Sequence, residues 1–286
     1  MLSLPESLDA SRLTTYDLCP RKYYNQYIRR LHTGPKHLNT RFSSHLIHEP
    51  LTMWYLSGPT WEPSEAQWAE LLAKVAVTEE ELGVKANANY CLDQAKACFK
   101  TYVERFADDH KRFKITGVEN YILDSENFRP VPFGSKPDIM AKERVSGDVW
   151  TIELKFSAWD FALDASIINP QFLGQVNNTK GKGIIVNLIQ PVGSTKWHSF
   201  NVVREEFSPK PAELEEFRND VRFKIATVVA SHKLNVFPKN STHACGAYGG
   251  CFFLALCTAA NPLEMIRRMP LKEDPLDYLT GGITNG

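Results

Sequence analysis

The chain has 286 residues, of which 43% are hydrophobic and 23% charged, enough apolar material to bury a core and too much for a disordered polymer. Its 33 Lys and Arg balance 33 Asp and Glu, so any polyanion would have to be met by a local basic patch and not by overall charge. The longest mostly apolar run, Cys251 to Ala260, is far shorter than the ~20 residues that cross a bilayer. The opening residues carry an acid and no apolar run, so the expectation is a soluble, cytoplasmic protein without a signal peptide.

Taken in chain order, Ser11 reads as the N-cap of a short helix that ends at Cys19-Pro20. The following stretch, Arg21 to Arg30, alternates bases (Arg21, Lys22, Arg29, Arg30) with Tyr23, Tyr24 and Tyr27. This mixture offers phosphate contacts and stacking faces for a single strand, the alternative being a solvated basic helix whose tyrosines pack inward. Residues 40–55 predict a helix with His45, His48 and Trp54, closed by Gly58-Pro59. Two more helices are predicted over 64–82 and 89–112. In the second, Cys91, Ala95, Cys98, Tyr102 and Phe106 recur at helical spacing as one buried stripe, which makes Cys91 and Cys98 core residues.

Strand patterns take over near Lys114. They cover 118–123, 136–141, 149–156, 183–189 and 197–203, with a helix over 169–180 between the third and fourth. A long helix from Pro211 to Leu234 follows, with Glu213, Glu215 and Glu216 near its positive end. The predicted architecture is α/β: a mixed sheet flanked by helices, with an N-terminal helical insertion and a C-terminal cysteine segment. The expected division is 1–60 (N-terminal helices), 61–115 (helical insertion), 116–205 (core) and 206–286 (C-terminal helix and cysteines), all within one integrated domain.

Chemistry concentrates at Asp138, in Lys136-Pro137-Asp138, and at Glu153-Leu154-Lys155. On a strand, Ile152, Leu154 and Phe156 would face the core while Thr151, Glu153 and Lys155 share the other face. A neighbouring-strand Asp beside that Glu, with the Leu154 carbonyl, gives hard oxygens suited to Mg²⁺ or Mn²⁺. Lys155 would then orient or deprotonate an attacking water and offset charge on phosphorus. The alternative is an ordinary surface pair of Glu153 with Lys155. Cys245, Cys251 and Cys257 are separated by five residues each, and Cys19 can supply a fourth thiolate. Four thiolates suit Zn²⁺ or a [4Fe–4S] cluster, and His243 keeps a Cys₃His zinc site open.

With these parts in order, the chain resembles PD-(D/E)XK nucleases of the RecB type, in the branch with an iron–sulfur cluster that includes phage exonucleases and the CRISPR-associated adaptation nuclease. The matching pieces are Cys19-Pro20-Arg21-Lys22-Tyr23-Tyr24, His48, Glu119, Pro137-Asp138, Glu153-Leu154-Lys155, Gln171 and the three late cysteines. The resemblance implies a restriction-endonuclease-like fold and a metal-dependent exonuclease acting on single-stranded DNA without sequence preference. It implies that Asp138 and Glu153 bind metal, that Lys155 is the catalytic lysine, that His48 meets the metal or the scissile phosphate, and that Gln171 positions water or substrate. Glu119 is an optional metal ligand, and Cys19, Cys245, Cys251 and Cys257 become cluster ligands. The family's Tyr, four residues after the glutamine, is Gln175 here, which weakens any role for position 175. A helicase, recombinase or integrase partner is compatible with this picture. The alternatives are a non-catalytic nucleic-acid-binding or assembly subunit, and an endonuclease on the same core.

Overall fold

The computed structural model describes residues 2–31, 46–80, 88–157, 169–192, 199–240, 244–246 and 251–269, with side chains 76–80, 88–91 and 268 left aside. His45, His243 and the side chain of Cys91 lie outside the described residues. The chain divides into two compact units assembled from non-consecutive stretches: 1–34, 123–135 and 215–286 in one, and 35–122 with 136–214 in the other. Such interleaving differs from the four consecutive segments expected from the sequence.

The second unit holds a five-stranded sheet in the order β2 (Phe113–Val118), β5 (Ile139–Glu143), β6 (Val149–Phe156), β7 (Gly183–Val192), β8 (Ser199–Phe207). Only β6 and β7 run parallel, joined through the helix α7 (Pro170–Thr179), while the remaining neighbours are antiparallel. The sheet is thus mixed, as expected. Strand β2 starts at Phe113, five residues before the predicted 118–123, and its register shifts between Ile115 and Gly117. Strand β7 must lie close to β8: a Cβ on Gly183 would sit 2.1 Å from the Phe207 carbonyl oxygen.

Both faces of the sheet are covered. Ile152, Leu154, Ile185 and Ile189 pack under Trp54, Tyr55, Phe99, Tyr102 and Phe106 from α3 (Glu49–Ser57) and α5 (Ala88–Arg105). On the other face, Phe172 and Val176 of α7 meet Ile184 and Val186, with Phe207 and Leu214 alongside. Consecutive β7 residues therefore serve opposite layers, as strand alternation requires. The predicted stripe of α5 holds: Ala95, Cys98 and Tyr102 are fully buried. The helix α4 (Glu65–Glu80) begins with a reciprocal cap, Ser64 Oγ accepting from the Gln67 N–H and Gln67 Oε1 from the Ser64 N–H.

Beneath α3 lies a buried polar chain that the sequence pattern did not announce. Arg204 donates to both oxygens of Asp109 at 2.7 and 2.6 Å, and to Asn187 Oδ1 at 2.7 Å. The Tyr55 hydroxyl donates to Asp109 at 2.5 Å and meets the Tyr102 hydroxyl, to which Asn187 also donates.

In the first unit, α1 (Ala10–Leu18) is capped by Asp9, whose side chain accepts from the Arg12 N–H at 2.8 Å. Ser11, the expected cap, stands inside the helix. Asp9 ends the short strand β1 (Leu8–Asp9), whose extended backbone is the geometry a cap needs. Strand β1 pairs with β4 (Phe133–Ser135) in a three-stranded sheet whose other edge is β3 (Ile122–Asp124). Phe128, Phe133 and Phe217 pack edge to face nearby, the last carried by α8 (Pro211–Leu234), which forms as expected. No described helix is long and apolar enough to cross a membrane.

Candidate active site

Asp138 stands one residue before β5, and β5 pairs antiparallel with β6 in the register Ile139↔Ile152. That register brings Asp138 beside the strand that carries Glu153 and Lys155. The contact is closed by the Leu154 N–H, which donates to Asp138 Oδ2 at 2.7 Å. On the other side, the Glu119 N–H donates to the Asp138 carbonyl at 2.9 Å. The Glu119 carboxylate itself is paired with Lys136 Nζ at 2.5 Å and is exposed to solvent.

The face of β6 opposite Ile152 and Leu154 carries the expected set, but it is a buried face, covered by α7. Thr151 is fully buried and Glu153 is 2% exposed. Burying a carboxylate demands donors, and Glu153 has three. Oε1 accepts from Lys155 Nζ at 2.5 Å and from Gln171 Nε2 at 2.7 Å, and Oε2 accepts from Gln175 Nε2 at 2.7 Å. Lys155 Nζ also donates to Gln171 Oε1 at 3.2 Å, closing a three-membered ring of side chains. Gln171 and Gln175 are one turn apart on α7, so both point to the same strand. The helix starts at the right place because Asn169 caps it, accepting from the Gln171 N–H at 2.9 Å. An ordinary surface pair of Glu153 with Lys155 is therefore excluded by burial.

His48 immediately precedes α3, with Nδ1 3.7 Å from Asp138 Oδ2. Burial lowers its pKa despite the pull of Glu153, so the imidazole is neutral near pH 7 and its contact with Asp138 is polar, not ionic. Asp138 is pushed well above the usual carboxylate range, first by burial and then by the charge of Glu153, with the Leu154 N–H opposing. Burial would lower the Lys155 ammonium, but Glu153, by charge and hydrogen bond, and Asp138 outweigh it, and its pKa ends above the ordinary value. The centre thus holds two desolvated carboxylates, one strained by the other, beside a firmly protonated lysine.

The donor chemistry fits a hard divalent cation: Asp138, Glu153 and the Leu154 carbonyl offer oxygens, and a positive charge there would relieve the repulsion that raises Asp138. Among the described residues, no group of three or more His, Cys, Asp or Glu side chains is gathered as a metal site.

The family model for the PD-(D/E)XK nuclease superfamily matches residues 7–258. The chain belongs to that superfamily. A search of curated proteins finds no match. Among solved structures, a presumed exonuclease from Eubacterium rectale is similar over 97% of this chain and 94% of its own, at 12% identity and a TM-score of 0.48. An alkaline exonuclease from Laribacter hongkongensis covers 68% of this chain and 95% of its own, at 14% identity and a TM-score of 0.33. A second structure of that exonuclease is a complex with dAMP, at 13% identity over 69% of this chain and 94% of its own, with a TM-score of 0.32.

In the first unit of the nuclease, the basic and aromatic segment is partly spent on packing. Tyr23 is fully buried against Tyr16, Tyr27, His232 and Phe237, and burial raises its phenol. It therefore has no face to offer a base, contrary to expectation. Tyr24 stacks on Phe237 at 4.7 Å, with the Arg29 guanidinium 4.7 Å from its ring centre and that of Arg21 at 5.8 Å. Arg21 also donates to the Phe237 carbonyl at 2.9 Å. Lys22 is half-buried and Arg30 exposed.

The four cysteines lie in this same unit, none of them in a disulfide. The Asn240 N–H donates to Cys19 Sγ at 3.4 Å, and the Cys251 N–H to the Cys245 carbonyl at 3.0 Å. Burial raises the Cys257 thiol, with Cys251 and Cys19 adding to the rise and Lys239 opposing it. Cys257 is thus within electrostatic range of Cys251 and Cys19, and no ligating group of three or more is gathered among the described residues.

Proposed function

We propose that the chain is an exonuclease that hydrolyses phosphodiester bonds of single-stranded DNA with Mg²⁺ or Mn²⁺ and without sequence preference. The observation that supports this most is the convergence of Asp138, Glu153, Lys155, Gln171 and His48 on one end of the β5–β6 hairpin. The ion would be held by Asp138, Glu153 and the Leu154 carbonyl, with His48 beside Asp138 and Glu119 left to Lys136. When bound, it supplies Lewis-acid polarisation of the phosphate.

The chain's own groups divide the remaining work. With its pKa held above the ordinary value by Glu153 and Asp138, Lys155 is suited to orient water by hydrogen bonding and to offset negative charge building on phosphorus. Gln171 joins Lys155 to Glu153 and so fixes the ammonium relative to the acidic pair. Neutral His48 can donate or accept at Asp138 or at a phosphate oxygen. Arg21, Lys22, Arg29, Arg30 and Tyr24 would guide the strand, with Tyr23 removed from that set by its burial.

Cys19, Cys245, Cys251 and Cys257 would hold a [4Fe–4S] cluster, with Zn²⁺ as the competing occupant. Their spacing and their presence in one unit support this reading. A cluster joining residue 19 to the C-terminal segment closes a long loop and acts as a staple.

The test of the activity uses purified protein, Mg²⁺, and labelled single-stranded DNA in linear and closed circular form. Progressive loss of the linear strand with intact circles is expected. Discrete fragments from circles would assign an endonuclease, and no loss of either would assign a binding or assembly subunit.

A further inference from the structure

Gln175 occupies the position at which the sequence offered no role. It is fully buried, its Nε2 lies 2.7 Å from Glu153 Oε2, and its Oε1 has no hydrogen-bond partner among the described residues. The orientation of this amide is compulsory. Turned by half a rotation, it would set one oxygen against another, a repulsive contact in a dry site. A buried acceptor without a partner is costly, so the amide is retained here against its own hydrogen-bonding needs. What it secures is the Glu153 carboxylate.

The other two donors to Glu153 differ in kind. Lys155 and Gln171 both bind Oε1, both remain partly exposed, and they are also bonded to each other. A phosphate or water arriving at the centre can draw either of them away. Gln175 reaches Oε2 from the interior, where no substrate atom competes for its N–H. With Oε1 shared between two donors, a carboxylate held only from that side would swing when one of them turned to substrate.

We propose that Gln175 is a positioning residue that fixes the Glu153 carboxylate from inside the protein, leaving Lys155 and Gln171 available to substrate. The proposal rests on reading Glu153 as a metal ligand. Its effect belongs in the affinity of the empty enzyme for the ion, because a partner behind a ligand typically changes metal affinity by 10–100-fold.

The experiment measures Mn²⁺ binding by titration calorimetry, without DNA, on the wild type, Gln175→Met and Glu153→Gln, with thermal melting of each. Gln175→Met keeps the length and bulk of the side chain and deletes the donor. The expected result is cooperative melting with Mn²⁺ bound at least tenfold more weakly than in the wild type, and loss of the same site in Glu153→Gln. Should Gln175→Met not fold, Gln175→Asn asks the same question, since its amide is one methylene too short to reach Oε2. Affinity within twofold of the wild type, in whichever of the two folds, overturns the role of Gln175 while the Glu153→Gln loss leaves the metal reading standing. Equal Mn²⁺ binding by the wild type and Glu153→Gln overturns the metal reading itself, and the positioning role with it.

Discussion

The buried pair of Asp109 and Arg204 allows a quantitative test of how the sheet unit is held together. Their side chains are 5% and 16% exposed, and two bonds of 2.7 and 2.6 Å join them. In Asp109→Ala the guanidinium stays where it is, 3.7 Å from the Phe106 ring centre and bonded to Asn187, but with its counter-charge gone. Leaving one partner of such a pair unmatched costs about 3–5 kcal/mol. The Tyr55 hydroxyl loses an acceptor yet keeps Tyr102 at 2.9 Å, so it adds little. At 2–4 °C per kcal/mol for a domain of 150–250 residues, the melting temperature should fall by roughly 6–20 °C. The double replacement Asp109→Leu with Arg204→Met should recover most of that loss, because no uncompensated charge remains. Calorimetry on the wild type, the single variant and the double variant reads both numbers. A single variant melting within 2 °C of the wild type would refute the claim that this charge is sealed from water.

Asp138 carries a pH-dependent cost of the opposite kind. Its folded pKa lies above the ordinary carboxylate value, because burial and Glu153 both disfavour its charged form. The native state therefore binds a proton more readily than the unfolded chain does, so this contribution to stability is fully present below the unfolded carboxyl pKa and lost as pH rises through the folded one. Metal-free Asp138→Asn should lack that falling limb in denaturation measured from pH 4 to 8, and a wild-type-like slope in the variant would contradict the assignment. The cysteines give a visible test: anaerobically purified protein should be brown, and Cys251→Ser colourless and prone to aggregate. A brown, soluble Cys251→Ser protein would remove Cys251 from the ligand set.

Some of this was legible in the sequence because it depends on local spacing. Alternation on β6 placed Glu153 and Lys155 on one face, and the helix predicted over 169–180 starts where α7 does. What escaped depends on packing between distant stretches. Asp109 and Arg204 are 95 residues apart, and nothing in either neighbourhood names the other. Gln175 became significant only once α7 was seen to lie on β6 and turn that residue toward Glu153. Tyr23 misled for a related reason: a basic and aromatic alternation looks the same whether its rings face solvent or, as here, Phe237 and His232. Strand alternation did not show that α7 covers this face of β6, and the resulting burial explains why the site's pKa values move as they do.

In the proposed hydrolysis, Lys155 and the acidic pair act together. Wild type, Lys155→Ala and Asp138→Ala, prepared alike, should be compared on end-labelled single-stranded DNA with Mg²⁺. Degradation by the wild type, with at least a hundredfold loss in both variants and cooperative melting of each, is the predicted result. Equal degradation by all three proteins would contradict it and place the activity elsewhere.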